Sequence, residues 1–117
     1  MAWDMDVINL DEALKRAMGR KDLYKRWLDS FFKEEVIEPS ETAFKNKDYE
    51  AAHSALHKLK GTAGNLSVVK VFDAAGSLCE RVTAKESMET LESGFLKLRE
   101  EFLSAMKMYN ENLNELI

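Results

Sequence analysis

The sequence predicts an all-α fold: an up-and-down antiparallel four-helix bundle with a short N-terminal capping helix. Apolar residues recur at steps of three and four in five stretches, as on one face of an α-helix. The 117 residues include one proline and five glycines, which favours long helices over short strands joined by turns. Short connections between the stretches favour antiparallel neighbours. Residues 1–117 are expected to form a single domain.

The first helix is short and is expected to cap one end of the bundle. Asn9 can cap its start, with Glu12 three residues later as in a capping box, and Gly19 ends it. The apolar residues before it, Trp3 among them, are interpreted as closing the same end. An apolar docking patch for a partner is the alternative. The predicted buried stripe is Leu10, Ala13, Leu14 and Ala17.

The second helix is predicted from Lys21 to about Val36. Pro39 lacks a backbone donor and is expected to break or kink the chain that follows. One or two further helical turns are expected from Ser40 to Asn46. The residues predicted to face inward are Leu23, Trp27 and Phe31, with Leu28 left open.

Three longer helices are predicted in the rest of the chain. Asp48 is a suitable cap for the third, which spans Tyr49 to about Leu66. The fourth begins near Ser67 and the fifth near Ser87. The fourth is expected to bury Val68, Val71, Phe72, Ala75, Leu78 and Val82. The fifth carries the stripe Met88, Leu91, Phe95, Leu98, Phe102, Met106, Tyr109, Leu113 and Leu116.

Composition excludes several classes of function. The net charge of -4 argues against binding to a phosphate backbone, so no nucleic-acid partner is expected. No apolar run approaches the roughly 20 residues of a membrane span, and no membrane partner is expected. Cys79 is the only cysteine, so an intrachain disulfide is impossible and a reducing compartment is the default. Because the start of the chain also lacks the basic residues of a secretory signal, a cytoplasmic location is expected.

The third helix carries the residues that indicate function. Its apolar stripe points toward the core, and His57 projects roughly 130° away from that direction at 100° per residue. Gly61 and Gly64 fall on the same side as His57, one and two turns later. His53 lies one turn before it, and Lys60 lies between His57 and the edge of the core. The helix therefore predicts an exposed histidine beside bare backbone and a cation.

The two glycines require an explanation, since each costs about 1 kcal/mol relative to alanine in a helix. One interpretation is that a partner surface comes close over His57 and needs the clearance of Gly61 and Gly64. The alternative is that one glycine packs on a neighbouring helix, or that Gly64 helps to end this one. Lys60 has two interpretations as well. If the imidazole of His57 is phosphorylated, Lys60 can neutralise part of the added charge; the alternative is that Lys60 is a solvated lysine without a role.

The segment from His57 to Leu66, HKLKGTAGNL, resembles the signature of histidine-containing phosphotransfer (HPt) domains. The resemblance extends over about residues 7–115 and implies a four-helix bundle. It also implies a phosphorelay intermediate in two-component signalling: His57 accepts a phosphoryl group from a receiver-domain aspartate and passes it to another. Lys60 would stabilise the phosphoryl group, and Gly61 would give the partner access. Family members often place a glutamine near the histidine, whereas this chain contains none; Cys79, Glu80 and Ser77 are candidates for that place.

The partners implied are receiver domains of response regulators or of hybrid sensor histidine kinases. No cofactor is expected on this chain, because Mg²⁺ would belong to the receiver, and no glycine-rich nucleotide loop indicates an ATP-dependent kinase. One transferable histidine needs no symmetry mate, so a monomer is expected.

Two alternatives remain: a helical interaction module without phosphotransfer, and a metal site. His53 and His57 have the spacing of metal ligands, but further ligands are missing, so no metal is predicted; His53 is instead a possible auxiliary to His57.

Overall fold

Most residues of the computed structural model are helical; it describes residues 3–116 and has no strand in that range. The all-α prediction is therefore confirmed. The helices are α1 (Leu10–Arg16), α2 (Lys21–Phe31), α3 (Glu34–Lys45), α4 (Tyr49–Asn65), α5 (Val69–Thr83) and α6 (Met88–Glu111), followed by a 3₁₀ turn (Leu113–Leu116). No helix among these residues is long and apolar enough to cross a membrane.

The core lies between the four longest helices, α3 to α6. α4 packs on both α3 and α5, and α6 packs on the same two neighbours, so the four helices enclose a common interior. α2 contacts α1 and the C-terminal 3₁₀ turn. Among the largest fully buried side chains are Tyr24, Phe31, Phe44, Leu56, Leu98, Phe102 and Leu116, which come from α2, α3, α4, α6 and the 3₁₀ turn.

The prediction that Pro39 interrupts the chain is wrong. The helical interruption lies at Phe32 and Lys33, and Pro39 sits inside α3. Phe32 still donates the helical hydrogen bond to the Leu28 carbonyl, and the chain leaves the helix after it. The rings of Phe31 and Phe32 both pack on Phe102, with centroid distances of 5.5 and 5.7 Å. Pro39 is tolerated because it lies on the exposed side of α3, where the carbonyl it leaves unpaired can be solvated.

The N-terminal segment is tied to the turn that follows α4. The Asn9 side chain accepts a hydrogen bond from the Glu12 backbone amide at 3.2 Å and caps α1 as predicted, but the reciprocal bond of a capping box is not formed. The Asn9 amide donates to the Ser67 carbonyl at 2.9 Å, and the Ser67 hydroxyl lies 3.2 Å from the Glu12 carboxylate. The contacts of Asn9 and Glu12 with Ser67 place α1 beside the C-terminal end of α4. Trp3, which precedes α1, is buried, with 5% of its surface exposed.

The turn between α4 and α5 fixes the end of the site helix. Ser67 has a φ of +57°, so it belongs to the turn, and α5 begins at Val69 instead of near Ser67 as predicted. The Tyr24 hydroxyl donates to the Leu66 carbonyl at 2.5 Å. Burial raises the pKa of Tyr24, which keeps this donor protonated. A neutral buried hydroxyl thus satisfies a carbonyl at the end of α4 that has no partner within the helix.

Candidate functional site

One face of α4 is buried and the other is open to solvent. Ala52, Leu56, Leu59 and Ala63 form the buried stripe. His57 lies on the opposite side and is exposed, as its helical position predicts. Asp48 caps the start of α4, and its carboxylate accepts a hydrogen bond from the Ala51 amide at 3.0 Å. A capped helix with a packed stripe therefore holds the histidine outward on a rigid support.

The two histidines of the chain lie side by side on this open face. Their rings are nearly parallel, with an angle of 5° between planes and 6.1 Å between centroids. His53 is exposed as well. The structure thus brings together the two imidazoles that the i, i+4 spacing places on one side of the helix.

Gly61 and Gly64 differ in what surrounds them. A Cβ added to Gly61 would meet nothing within 4 Å, so no contact inside the described part of the chain requires its small size. A Cβ on Gly64 would lie 2.9 Å from Cδ1 of Phe72, so even alanine would displace that ring. The Gly64 carbonyl also accepts a hydrogen bond from Arg16 at 2.6 Å. Gly64 therefore has an intramolecular packing role, whereas the bare surface at Gly61 faces open space.

Lys60 is half-buried between α4 and α5. Its ammonium lies 5.6 Å from the centroid of the Phe72 ring. An added Cβ at Gly76 would lie 3.4 Å from Cε and 3.5 Å from Cδ of Lys60, so the lysine stem passes closely over this glycine. Among residues 3–116, no carboxylate lies within 4 Å of the Lys60 ammonium. The cation next to His57 is thus held near a ring and keeps its charge available.

Cys79 occupies the part of α5 that faces the histidines. Its thiol lies 3.9 Å from the His53 carbonyl oxygen, and burial raises its pKa. Glu80 and Ser77, the other two candidates for the place of the family's glutamine, are exposed. A protonated thiol is a weak donor, so it contributes little polar support to His57.

Contacts between α4 and α5 show how the two helices are aligned. Phe72 lies against Gly64, and Cys79 lies against His53, so sequence numbers rise on one helix as they fall on the other. The pair is antiparallel. Along the helix axis, His57 is consequently level with the part of α5 between Gly76 and Cys79.

The expectation that Phe72 is buried is wrong, since 37% of this residue is exposed. Its ring lies across the bare backbone of Gly64 at the edge of the α4–α5 contact, where one face stays accessible. Sequence reasoning did not predict that Lys60 of α4 lies against Phe72 and Gly76 of α5. A helical wheel shows which residues share a face of one helix, but it does not show which residue of the next helix meets them.

No group of three or more histidine, cysteine, aspartate or glutamate side chains among residues 3–116 could hold a metal ion. His53 and His57 thus stand as a pair without the additional ligands that a stable site needs.

The comparisons with known proteins identify the family. The family model of the Hpt domain matches residues 27–116, which include the whole of α3 to α6 and the segment around His57. The comparisons with curated proteins and with solved structures found no match. Because the matched range covers most of the 117 residues, the resemblance seen in the sequence is confirmed. The chain belongs to the Hpt domain family.

Proposed function

We propose that this protein is a phosphorelay intermediate in which His57 accepts a phosphoryl group from a receiver-domain aspartate and passes it to another receiver aspartate. The Hpt domain family implies phosphotransfer in a phosphorelay. The observation that carries the assignment to this residue is the exposed imidazole of His57, with open space over Gly61 one turn away. The longer helices would run up and down as the scaffold, with α1 capping one end.

The chemistry requires little of this chain beyond a placed nucleophile. A neutral ring nitrogen of His57 attacks the phosphorus of an aspartyl phosphate; the N–P bond forms as the acyl O–P bond breaks, and the carboxylate of the aspartate leaves. When the group passes to the next aspartate, the N–P bond breaks as a new acyl O–P bond forms. Mg²⁺ and most of the stabilisation of charge in the transition state would come from the receiver. The chain would thus act as a phosphocarrier and not as an ATP-dependent kinase.

Lys60 and Gly61 have separate roles in this proposal. Lys60 stabilises the charge on the phosphoryl group, because its ammonium is one turn from His57 and has no carboxylate partner in the described part of the chain. Gly61 lets a receiver approach His57 closely, because, its own stretch of α4 aside, none of residues 3–116 comes within 4 Å of the place where its Cβ would lie. His53 is a possible auxiliary, since its ring lies parallel to that of His57.

Incubation with a phosphorylated receiver domain tests the proposal. A carrier acquires phosphate that is stable in base and labile in acid, and a fresh unphosphorylated receiver removes it. A protein that binds the receiver and acquires no phosphate would instead be a helical interaction module, and the proposal would be wrong.

Replacing Gly61 with leucine is expected to slow transfer from the receiver by about tenfold or more, because the side chain would fill the space through which the partner approaches. Initial rates of phosphoryl transfer measure the effect, and circular dichroism checks that helix content is unchanged. Ala51→Leu is the matched control, since Ala51 is an exposed position of α4 about 120° around the helix from His57. Equal rates for the two variants would refute the role of Gly61.

A further inference from the structure

We propose that Phe72 is a positioning residue, which holds the ammonium of Lys60 beside His57 with its charge unneutralised. The inference rests on the proposed function, because it describes how the cation is kept ready for the phosphoryl group. It concerns a residue of α5, whereas the histidine and the lysine both lie on α4.

Three contacts define the position of the lysine. The ring of Phe72 is seated on the bare backbone of Gly64, where a Cβ would come within 2.9 Å of it. The stem of Lys60 crosses Gly76, and its ammonium lies 3.9 Å from the place of an added Cβ there. The same ammonium lies 5.6 Å from the centroid of the Phe72 ring. Gly64 thus makes room for the ring, while the lysine stem lies at ordinary contact distance from the place of a side chain at Gly76.

These contacts restrict Lys60 on two sides. Gly64 lies one turn after Lys60 on α4, so the ring seated on it lies on the side of the lysine that is remote from His57. Gly76 belongs to α5 and bounds the lysine on the side of the neighbouring helix. Neither contact lies on the side of the lysine toward His57, so neither separates the ammonium from a phosphoryl group on that residue.

An aromatic ring suits this role better than a carboxylate would. A carboxylate partner would hold the lysine equally well, but it would cancel the charge that the phosphoryl group needs. The face of an aromatic ring attracts a cation through its quadrupole and leaves the net charge intact. Among residues 3–116, no carboxylate within ion-pair distance competes for Lys60.

The test uses phosphoramidate, a small phosphoryl donor, so that docking of a receiver plays no part. The P–N bond of the donor breaks and ammonia leaves, while a ring nitrogen of His57 forms the new N–P bond. The imidazole proton signals in the NMR spectrum follow the reaction at each of the two histidines of the chain. The rate at His57 is measured for the wild type, Phe72→Leu, Lys60→Ala and the double variant, with Phe72→Tyr as the conservative variant.

We expect Phe72→Leu to slow phosphorylation of His57 about two- to fivefold when Lys60 is present, the range that corresponds to an exposed cation–ring contact. The same change should have no effect in the Lys60→Ala background, and Phe72→Tyr should keep the wild-type rate. Thermal unfolding of each variant measures any general loosening of α5.

Equal slowing by Phe72→Leu in both backgrounds would show a structural role only and would overturn the inference. An unchanged or faster rate in the presence of Lys60 would overturn it as well. If His57 reacts with phosphoramidate but never with a phosphorylated receiver, the proposed function fails while the coupling of Phe72 to Lys60 stands. If the receiver phosphorylates His57 and the double-mutant cycle shows no coupling, the inference fails and the proposed function stands.

Discussion

Replacing His57 with alanine is expected to abolish acquisition of phosphate from a phosphorylated receiver. The alanine variant loses the nucleophilic nitrogen, and no other group on the open face of α4 lies in the same place. His53→Ala is the matched control, because His53 is also exposed and its ring lies 6.1 Å from that of His57. It should keep the phosphate label.

The measurement is the amount of acid-labile phosphate on each variant after incubation with the same receiver. Both positions are on the solvent side of α4, so neither substitution should change the helix content. Label that persists in His57→Ala and disappears in His53→Ala would show that the neighbouring histidine is the acceptor.

Replacing Phe102 with alanine is expected to lower the free energy of unfolding by about 3–5 kcal/mol, because the change removes a buried ring and leaves a cavity. Phe102 is 1% exposed, and its ring packs against both Phe31 and Phe32. It therefore joins α6 to the end of α2 at the point where the chain leaves the helix. Urea denaturation at equilibrium measures the loss.

Leu103→Ala is the matched control for Phe102→Ala. Leu103 is the next residue of α6 and is 41% exposed, so its truncation should cost no more than about 1 kcal/mol. A loss of less than 1 kcal/mol in Phe102→Ala would contradict the packing described around the interruption between α2 and α3.

Much of the fold follows from the periodicity of the sequence. The stripe on α4 and the outward position of His57 could be predicted because both depend on the geometry of a single helix. The cap at Asp48 could be predicted for the same reason. Local rules were insufficient at Pro39, where they predicted a break. The break instead occurs after Phe32, where the rings of Phe31 and Phe32 are buried against Phe102, and Pro39 is accommodated on the exposed side of α3.

The details of the candidate site depend on contacts between helices, which periodicity does not specify. The sequence places Gly61 and Gly64 on one face and does not show which of them packs against another helix. The structure separates them, because Phe72 of α5 covers Gly64 and leaves Gly61 open. The same contact leaves Phe72 partly exposed, although its position on the helical wheel suggests burial.

The central claim is that the phosphoryl group resides on His57, and NMR of the labelled wild-type protein tests it most directly. The chain contains two histidines, whose imidazole signals can be assigned with the His53→Ala variant. After incubation with a phosphorylated receiver, a phosphorus coupling is expected on the ring protons of His57, while the His53 signals show none. A phosphorus coupling on His53, or a phosphate label with no coupling on either ring, would contradict the assignment.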